Sequence, residues 1–446
     1  MAYIANQSTG KQLVYDSLSS DWLNMLSHIP QSIEEVVDKL AKIYEDVDIS
    51  ELSVDFCEFI EDLVEEGFVL VGDTVDEMTT QNNEDIELQL DVPPISDLTI
   101  EVTNRCNERC IHCYLPDDLK DKGRAMNLEK LKLLIDSFAE MGGHTVTLTG
   151  GEVFLYKEIT DLLYYIHQRH LRIIIYSNLI AFNDQMLRSL ESVDIDHIQV
   201  SLYGVHPEIH DTITGVKGSC KRTLRSIEML LKTQIPLKIA CPVMRENSSD
   251  VIPVLEFAKK NMIPVELELN ITARENQEKD NLEHRLSLHE MESLLRDLVA
   301  YDKEYTINLL HRHKNLYDEQ FSLAEYLNYP VCTAGHHGLY VTSDGKVTTC
   351  PNFQGVEMGH VDRSSLKEIW NSSNIINTLR KTTECSFRKC VSCEASDFCF
   401  RCFARNYTEC GDYMQIPQYA CEMAFLAKKI IDEQKTNQNV NKTIKK

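Results

Sequence analysis

From Ile95 onward the chain alternates short β-branched runs with amphipathic stretches, and it does so six times. Strands are expected over 98–102, 144–149, 171–176, 197–202, 237–240 and 265–269. Helices are expected over 127–141, 158–168, 183–191, 219–233 and 251–261. Apolar strands alternating with helices mark a parallel sheet covered on both faces. The fold class is therefore α/β, closing as a partial (β/α)6 TIM-like barrel. In such barrels the chemistry sits at the carboxyl ends of the strands.

Charge separates a second unit. Residues 1–91 carry 22 acidic and 3 basic residues, a net of -19 out of -25 for the 446-residue chain. Ser32 followed by Glu35 reads as a capping box opening a helix, with Val36, Leu40 and Ile43 at helical spacing. A second helix carries Phe56, Phe59, Ile60, Leu63 and Val64, stops at Gly67, and leads to a short strand over 68–71. This order suggests a small winged-helix-like module. The acidic balance argues against nucleic acid as a partner, since a polyanion needs a basic face. No apolar run approaches the ~18 residues of a membrane span, and the first residues lack the pattern of a secretory signal. A cytoplasmic location follows as the expectation.

Fifteen cysteines are too many for a chain of this size in a reducing compartment unless they bind metal. Cys106, Cys110 and Cys113 stand in a Cys-x3-Cys-x2-Cys loop just after the first barrel strand. Zinc ordinarily takes four protein ligands, and the loop offers three. Three thiolates instead suit a [4Fe–4S] cluster with one open iron. Gly150-Gly151-Glu152 follows the second strand, Ser177-Asn178 the third and Ser201 the fourth.

In the order of these pieces the chain resembles the radical S-adenosylmethionine (SAM) superfamily. The resemblance implies that Cys106, Cys110 and Cys113 hold the catalytic cluster and that SAM chelates its open iron. It also implies a 5′-deoxyadenosyl radical as the agent that abstracts hydrogen. Gly150, Gly151 and Glu152 would receive the methionine ammonium, and Ser177, Asn178 and Ser201 the ribose or carboxylate. His112 and the backbone of Val243 and Met244 would edge the adenine, with Arg222 reaching the carboxylate. His206, His210, Asp211, Thr214 and Gly215 read mainly as loop architecture.

Cys332 and Cys350, then Cys390, Cys393, Cys399, Cys402 and Cys421, resemble the SPASM extension, which holds two auxiliary Fe–S clusters, [4Fe–4S] in type. Paired knuckle-like spacings also admit zinc. By motif position Cys332, Cys350 and Cys402 would hold the nearer cluster and Cys390, Cys393, Cys399 and Cys421 the distal one. Gly338 stands where the family often has another cysteine, so Cys385, Cys410, His336 or His337 are candidates for a fourth ligand, or the iron is open. Cys57, Cys220 and Cys241 read as core residues, with Cys220 a candidate hydrogen-atom donor.

The N-terminal module resembles the PqqD-like recognition element of peptide-modifying enzymes, which binds a leader peptide by strand addition. Boundaries are expected at 1–75 for this module, 76–94 for an acidic linker, 95–310 for the barrel, 311–430 for the SPASM domain and 431–446 for a polar tail. Together these resemblances imply a maturase of a ribosomally made, leader-bearing peptide, fed electrons by a flavodoxin or ferredoxin. Thioether formation leads; carbon–carbon crosslinking, Cα epimerisation and formylglycine formation in a sulfatase are the alternatives.

Overall fold

A computed structural model of the protein describes residues 2–5, 12–15, 19, 22–23, 25–26, 31–44, 47–65, 67–69, 92–116, 123–311 and 327–444. Two short strands, β1 (Ala2–Ala5) and β2 (Gln12–Tyr15), pair antiparallel with Tyr3 opposite Val14. Helices α1 (Ile33–Leu40) and α2 (Ile49–Glu65) follow. The expected capping box opens α1: Ser32 Oγ accepts from Glu35 N–H, and the Glu35 carboxylate accepts from Ser32 N–H, each at 3.2 Å.

Val36, Val37 and Leu40 of α1 pack on Leu52, Phe56, Phe59, Ile60 and Leu63 of α2. Trp22 closes the core edge-on to both Phe56 and Phe59, with ring centroids 5.8 and 5.3 Å apart. Ile43 and Val64 are exposed, contrary to the helical pattern. Ile43 lies past the end of α1, and Val64 is one residue off the buried stripe.

The strand expected over 68–71 is not found where the structure describes it. Gly67 takes φ 77, and the N–H groups of Phe68 and Val69 both turn back to the Leu63 carbonyl. That is a helix C-cap of Schellman type, which removes these residues from sheet pairing. Most of the linker expected over 76–94, residues 76–91, lies outside the described residues.

The second unit begins at Ile95. Its strands are β3 (Asp97–Thr103), β4 (Thr145–Gly150), β5 (Arg172–Ser177), β6 (Ile195–Ser201), β7 (Leu237–Pro242) and β8 (Val265–Glu268). All six run parallel in sequential order. Leu98, Ile100, Val102, Val146, Leu148, Ile173 and Ile175 are fully buried, as the continuous apolar runs demanded. Between the strands lie α3 (Leu128–Glu140), α4 (Ile159–His167), α5 (Asp184–Leu190), α6 (Pro207–Thr214), α7 (Ser219–Leu230) and α8 (Val251–Lys260), with α9 (Leu288–Tyr301) and α10 (Lys303–Leu310) after β8.

The sheet then extends on its other side. β9 (Gly338–Val341) pairs parallel with β3, and β10 (Lys346–Thr348) and β11 (Gly359–His360) add antiparallel, giving the order β11-β10-β9-β3-β4-β5-β6-β7-β8. The cysteine-rich region is thus built onto the barrel sheet itself. Gly338 is needed for this: a Cβ there would stand 2.4 Å from the Asp97 carbonyl oxygen. Helices α11 (Leu366–Ser372), α12 (Asn374–Arg380), α13 (Phe403–Cys410) and α14 (Gln418–Ile444) complete the chain. The polar tail expected over 431–446 continues α14 to Ile444, because no Gly or Pro interrupts it.

Candidate active site

The loop over 106–113 leaves β3 and is held from two sides. On one side, Arg109 N–H donates to the Thr214 carbonyl at 2.8 Å and Ile111 N–H to the Ile213 carbonyl at 3.0 Å. These acceptors are the last carbonyls of α6, which an isolated helix leaves unpaired. Gly215, in the left-handed region at φ 69, turns the chain there. Asp211 accepts from Gly218 N–H, Ser219 Oγ and Cys220 N–H, fixing the entry to α7. His206 pairs with buried Asp250. The stretch over 203–215 thus packs as a support for the cysteine loop.

On the other side, Asn281 Nδ2 donates to the His112 carbonyl at 3.2 Å and to Thr272 at 2.9 Å. Arg274 Nη1 donates to the carbonyls of Cys113 and Leu115 at 3.0 and 3.1 Å, with its other edge on Asp280. Arg274 and Asn281 are buried, and nothing in the sequence singled them out. They stand at the two ends of an unbroken polar run, Arg274 to Asn281, with no apolar period to set them apart.

The carboxyl ends of β4 and β5 meet the same loop. Gly151 N–H donates to the Thr103 carbonyl and Glu152 N–H to the Arg105 carbonyl, each at 2.8 Å. The approach leaves no space for side chains: a Cβ on Gly150 would lie 2.2 Å from Thr103 O, and one on Gly151 2.3 Å from Arg105 O. The Glu152 carboxylate is buried and accepts from Ser177 Oγ at 2.6 Å, Asn178 N–H at 2.8 Å and Phe154 N–H at 3.0 Å. Asn178 Nδ2 reaches Asn107 Oδ1 at 2.8 Å, tying β5 directly to the cysteine loop.

His112 stacks edge-on to Tyr203 at 4.9 Å, and Tyr203 Oη lies 3.7 Å from Cys110 Sγ. Ser201 sits at the end of β6 within reach of Tyr203. Met244 is fully buried in a cluster with Tyr203, Ile213 and Ile271, against which Cys110 and Ile111 pack, and neighbouring Val243 is buried too. Arg222 is exposed on α7, where its charge bears on Glu108. Of the unassigned cysteines, Cys220 and Cys241 are fully buried and Cys57 half-buried.

In the C-terminal region Cys332 precedes β9 and Cys350 follows β10, so the hairpin brings them back toward each other. Cys350 is the focus of a set, since both Cys402 and Cys332 bear on its thiol electrostatically. Cys393 bears in the same way on Cys421. Cys385 is exposed, its Sγ against Thr383 Oγ1, and Cys410 ends α13.

The comparisons with known proteins agree module by module. Residues 100–258 match the radical SAM superfamily, 332–402 the SPASM iron–sulfur cluster-binding domain, and 4–69 coenzyme PQQ synthesis protein D (PqqD). This chain is a radical SAM/SPASM enzyme with a PqqD-like N-terminal domain. It is 25% identical to the AdoMet-dependent heme synthase of Methanosarcina barkeri over 72% of this chain and 94% of that protein. It is 23% identical to the antilisterial bacteriocin subtilosin biosynthesis protein AlbA of Bacillus subtilis, over 69% of this chain and 67% of AlbA. The crystal structure of Streptococcus suis SuiB bound to precursor peptide SuiA shares its fold, with a TM-score of 0.59 and 15% identity over 94% and 96% of the two chains.

The residues of this radical SAM/SPASM enzyme fit the groups the family carries. Burial pushes the Cys106 thiol up to about 12 and the Cys110 thiol well above its ordinary range. Burial likewise raises Glu108, to about 8, and the Cys350 thiol, to about 12. Thiols so placed become thiolates only against a strong local positive charge, which bound iron supplies. Among the described residues, no three or more His, Cys, Asp or Glu side chains gather around a point for a single ion. Gly150 and Gly151 let β4 close directly on the backbone of the cysteine loop.

Proposed function

We propose that this enzyme installs a thioether crosslink, from a cysteine sulfur to a carbon, in a leader-bearing ribosomal precursor peptide. The observation that carries the reading is the PqqD match over 4–69 placed ahead of the radical SAM and SPASM matches in one chain. A PqqD-like unit offers a two-stranded sheet, β1 and β2, to which a peptide strand can add. AlbA, a bacteriocin biosynthesis protein, and the Bacillus subtilis sporulation killing factor maturation protein SkfB, 24% identical over 67% of this chain, support a peptide substrate.

In this reading Cys106, Cys110 and Cys113 hold the [4Fe–4S] cluster and the ends of β4 to β7 hold SAM: Gly150, Gly151, Glu152, Ser177, Asn178, Ser201, His112, Val243 and Met244, with Arg222 at the rim. Bound there, the cluster and SAM supply a 5′-deoxyadenosyl radical able to take hydrogen from an unactivated carbon. Cys332, Cys350 and Cys402 hold one auxiliary cluster and Cys390, Cys393, Cys399 and Cys421 the other. The chain's own work is positional. Glu152 fixes β5 against β4, and Asn107 and Asn178 lock the cysteine loop to β5. Arg274 and Asn281 hold the loop carbonyls, and the Met244 cluster excludes water.

The net change oxidises the peptide: a thiol proton and a carbon-bound hydrogen leave as sulfur joins carbon. One electron then remains to leave the peptide, and a cluster held by Cys332, Cys350 and Cys402 would supply an acceptor for it. A flavodoxin or ferredoxin would supply the first electron, and the cytoplasm is the compartment this reading assigns. Among the described residues no helix is long and apolar enough to cross a membrane. The test is thiol alkylation of a candidate precursor, a short reading frame sought near the gene, after anaerobic incubation with SAM and reductant. Protection of one cysteine per crosslink supports the thioether. Full alkylation of a dehydrogenated product would instead establish carbon–carbon crosslinking.

A further inference from the structure

Two polar side chains converge on the sulfur of Cys110. Tyr203 Oη lies 3.7 Å from Cys110 Sγ, and Glu108 Oε2 lies 3.4 Å from it. Glu108 belongs to the cysteine loop itself, whereas Tyr203 reaches the sulfur from beyond the end of β6. A cysteine that ligates iron does so as a thiolate and has no proton to give. A phenol, protonated up to a pH of about 10, has one. With iron bound, the hydroxyl is therefore the donor in the Tyr203–Cys110 contact and the sulfur the acceptor.

The donor is held rigidly. Tyr203 is 5% exposed. Its ring stands edge-on to His112 with centroids 4.9 Å apart and tilts against His210 at 5.4 Å. Its N–H donates to His210 Nδ1 at 3.3 Å, and its carbonyl accepts from Asn247 Nδ2 at 2.9 Å. Ile213, Met244 and Ile271 pack with it. The Ser201 hydroxyl, two residues earlier, hydrogen-bonds to the phenol oxygen. A hydroxyl that accepts a hydrogen bond is polarised into a stronger donor. Ser201 and Tyr203 thus form a two-step chain that ends on Cys110 Sγ.

The sign of the consequence follows from charge. An iron–sulfur cluster gains one negative charge on reduction, and its ligand sulfurs share that charge. A hydrogen bond to a ligand sulfur stabilises the reduced form more than the oxidised form, and so raises the reduction potential. Cys110 packs against the buried Tyr203, Ile213, Met244 and Ile271, surroundings that strengthen such a bond. By contrast, Cys106 Sγ accepts from a backbone group, the Glu108 N–H at 3.4 Å, which no side-chain substitution removes.

We propose that Tyr203 donates a hydrogen bond to the Cys110 thiolate and thereby raises the reduction potential of the cluster on Cys106, Cys110 and Cys113, with Ser201 setting the strength of that donor. The proposal rests on the cluster reading above and is independent of which crosslink the enzyme makes. Tyr203 is a positioning residue in this role: it places a proton against a ligand sulfur, and no atom leaves it. A carrier of modest reducing power can then deliver the first electron.

The test uses the full-length enzyme with its clusters reconstituted and needs no peptide. Reduction midpoints are read by electron paramagnetic resonance in wild type, Tyr203→Phe and Ser201→Ala. The signal of the first cluster is identified by its loss in Cys110→Ala. Phenylalanine keeps the ring contacts with His112 and His210 and removes only the hydroxyl. In Tyr203→Phe the one-electron equilibrium should shift tenfold toward the oxidised form, a midpoint about 59 mV more negative, with iron content retained. Ser201→Ala should shift it the same way by less. The second arm is electron–nuclear double resonance of the reduced cluster in light and heavy water. Wild type and Ser201→Ala should show a strongly coupled exchangeable proton that Tyr203→Phe lacks. If Tyr203→Phe fails to hold iron, the Ser201→Ala midpoint and the wild-type coupling still decide. Unmoved or raised midpoints in the variants that hold iron, or a wild-type cluster without that coupling, overturn the proposal. A signal that survives Cys110→Ala with full iron content overturns the cluster reading itself, a distinct result.

Discussion

Ser177 Oγ donates to Glu152 Oε1 at 2.6 Å, joining the ends of β4 and β5 beneath the cysteine loop. The Glu152 side chain is 1% exposed and takes two backbone N–H groups besides. Replacing it with alanine leaves three buried donors without an acceptor. Glu152→Ala should lower unfolding free energy by about 1–3 kcal/mol and reduce SAM cleavage to 5′-deoxyadenosine. Denaturant unfolding and product chromatography check both. A variant as stable as wild type would contradict this role.

The two glycines before it matter chiefly for the space that a side chain would take. A Cβ on Gly151 would meet Arg105 O at 2.3 Å and Asn104 O at 2.6 Å, all backbone, so the loop must move. Gly151→Ala should cost about 1–3 kcal/mol and lower the iron bound at the first site. Gly218→Ala is the comparison, since at φ +81 it meets nothing within 4 Å. Its cost should be confined to backbone strain, about 1–2 kcal/mol, with iron content retained.

His210 is buried behind the cluster loop, and its Nδ1 accepts from Tyr203 N–H at 3.3 Å. Burial is the main cause that lowers its pKa from 6.5 to about 4. Between those values the unfolded chain binds the proton and the folded chain does not, so stability rises with pH across the window and is lost as pH falls through it. The contribution is about 3 kcal/mol. His210→Gln should flatten the pH dependence of unfolding from 6.5 down to 4, measured in denaturant.

Phe56 is 1% exposed and central to the N-terminal core. Phe56→Ala should cost about 3–5 kcal/mol, enough to unfold a module of this size. Leader binding, measured by fluorescence anisotropy, should disappear while peptide-independent SAM cleavage persists. Loss of both together would contradict separate roles for the two units.

The barrel was legible because six β-branched runs recur with helices between them, and each predicted strand lies within a residue or two of β3 to β8. The spacing and position of Cys106, Cys110 and Cys113 pointed to the superfamily that residues 100–258 match. Elsewhere the signals were weak. β1 and β2 are four residues each, too short to show alternation. Phe68 and Val69 have strand composition, yet Gly67 turns them back onto α2, a case of turn chemistry overriding propensity. That β9 would join β3 could not be read locally, since parallel pairing across 241 residues leaves no periodic trace. Arg274 and Asn281, which hold the loop carbonyls, end a run of eight polar residues, and nothing local distinguishes them from the exposed residues between.

The central claim is that this enzyme oxidatively joins two groups in a peptide. High-resolution mass spectrometry of a candidate precursor, sought as a short reading frame near the gene, tests it most directly, after anaerobic incubation with reconstituted enzyme, SAM and reductant. The account predicts loss of two hydrogens per crosslink, with fragmentation placing one end on a cysteine. An unchanged mass in water, with one added mass unit per site in deuterated water, would contradict it and establish epimerisation.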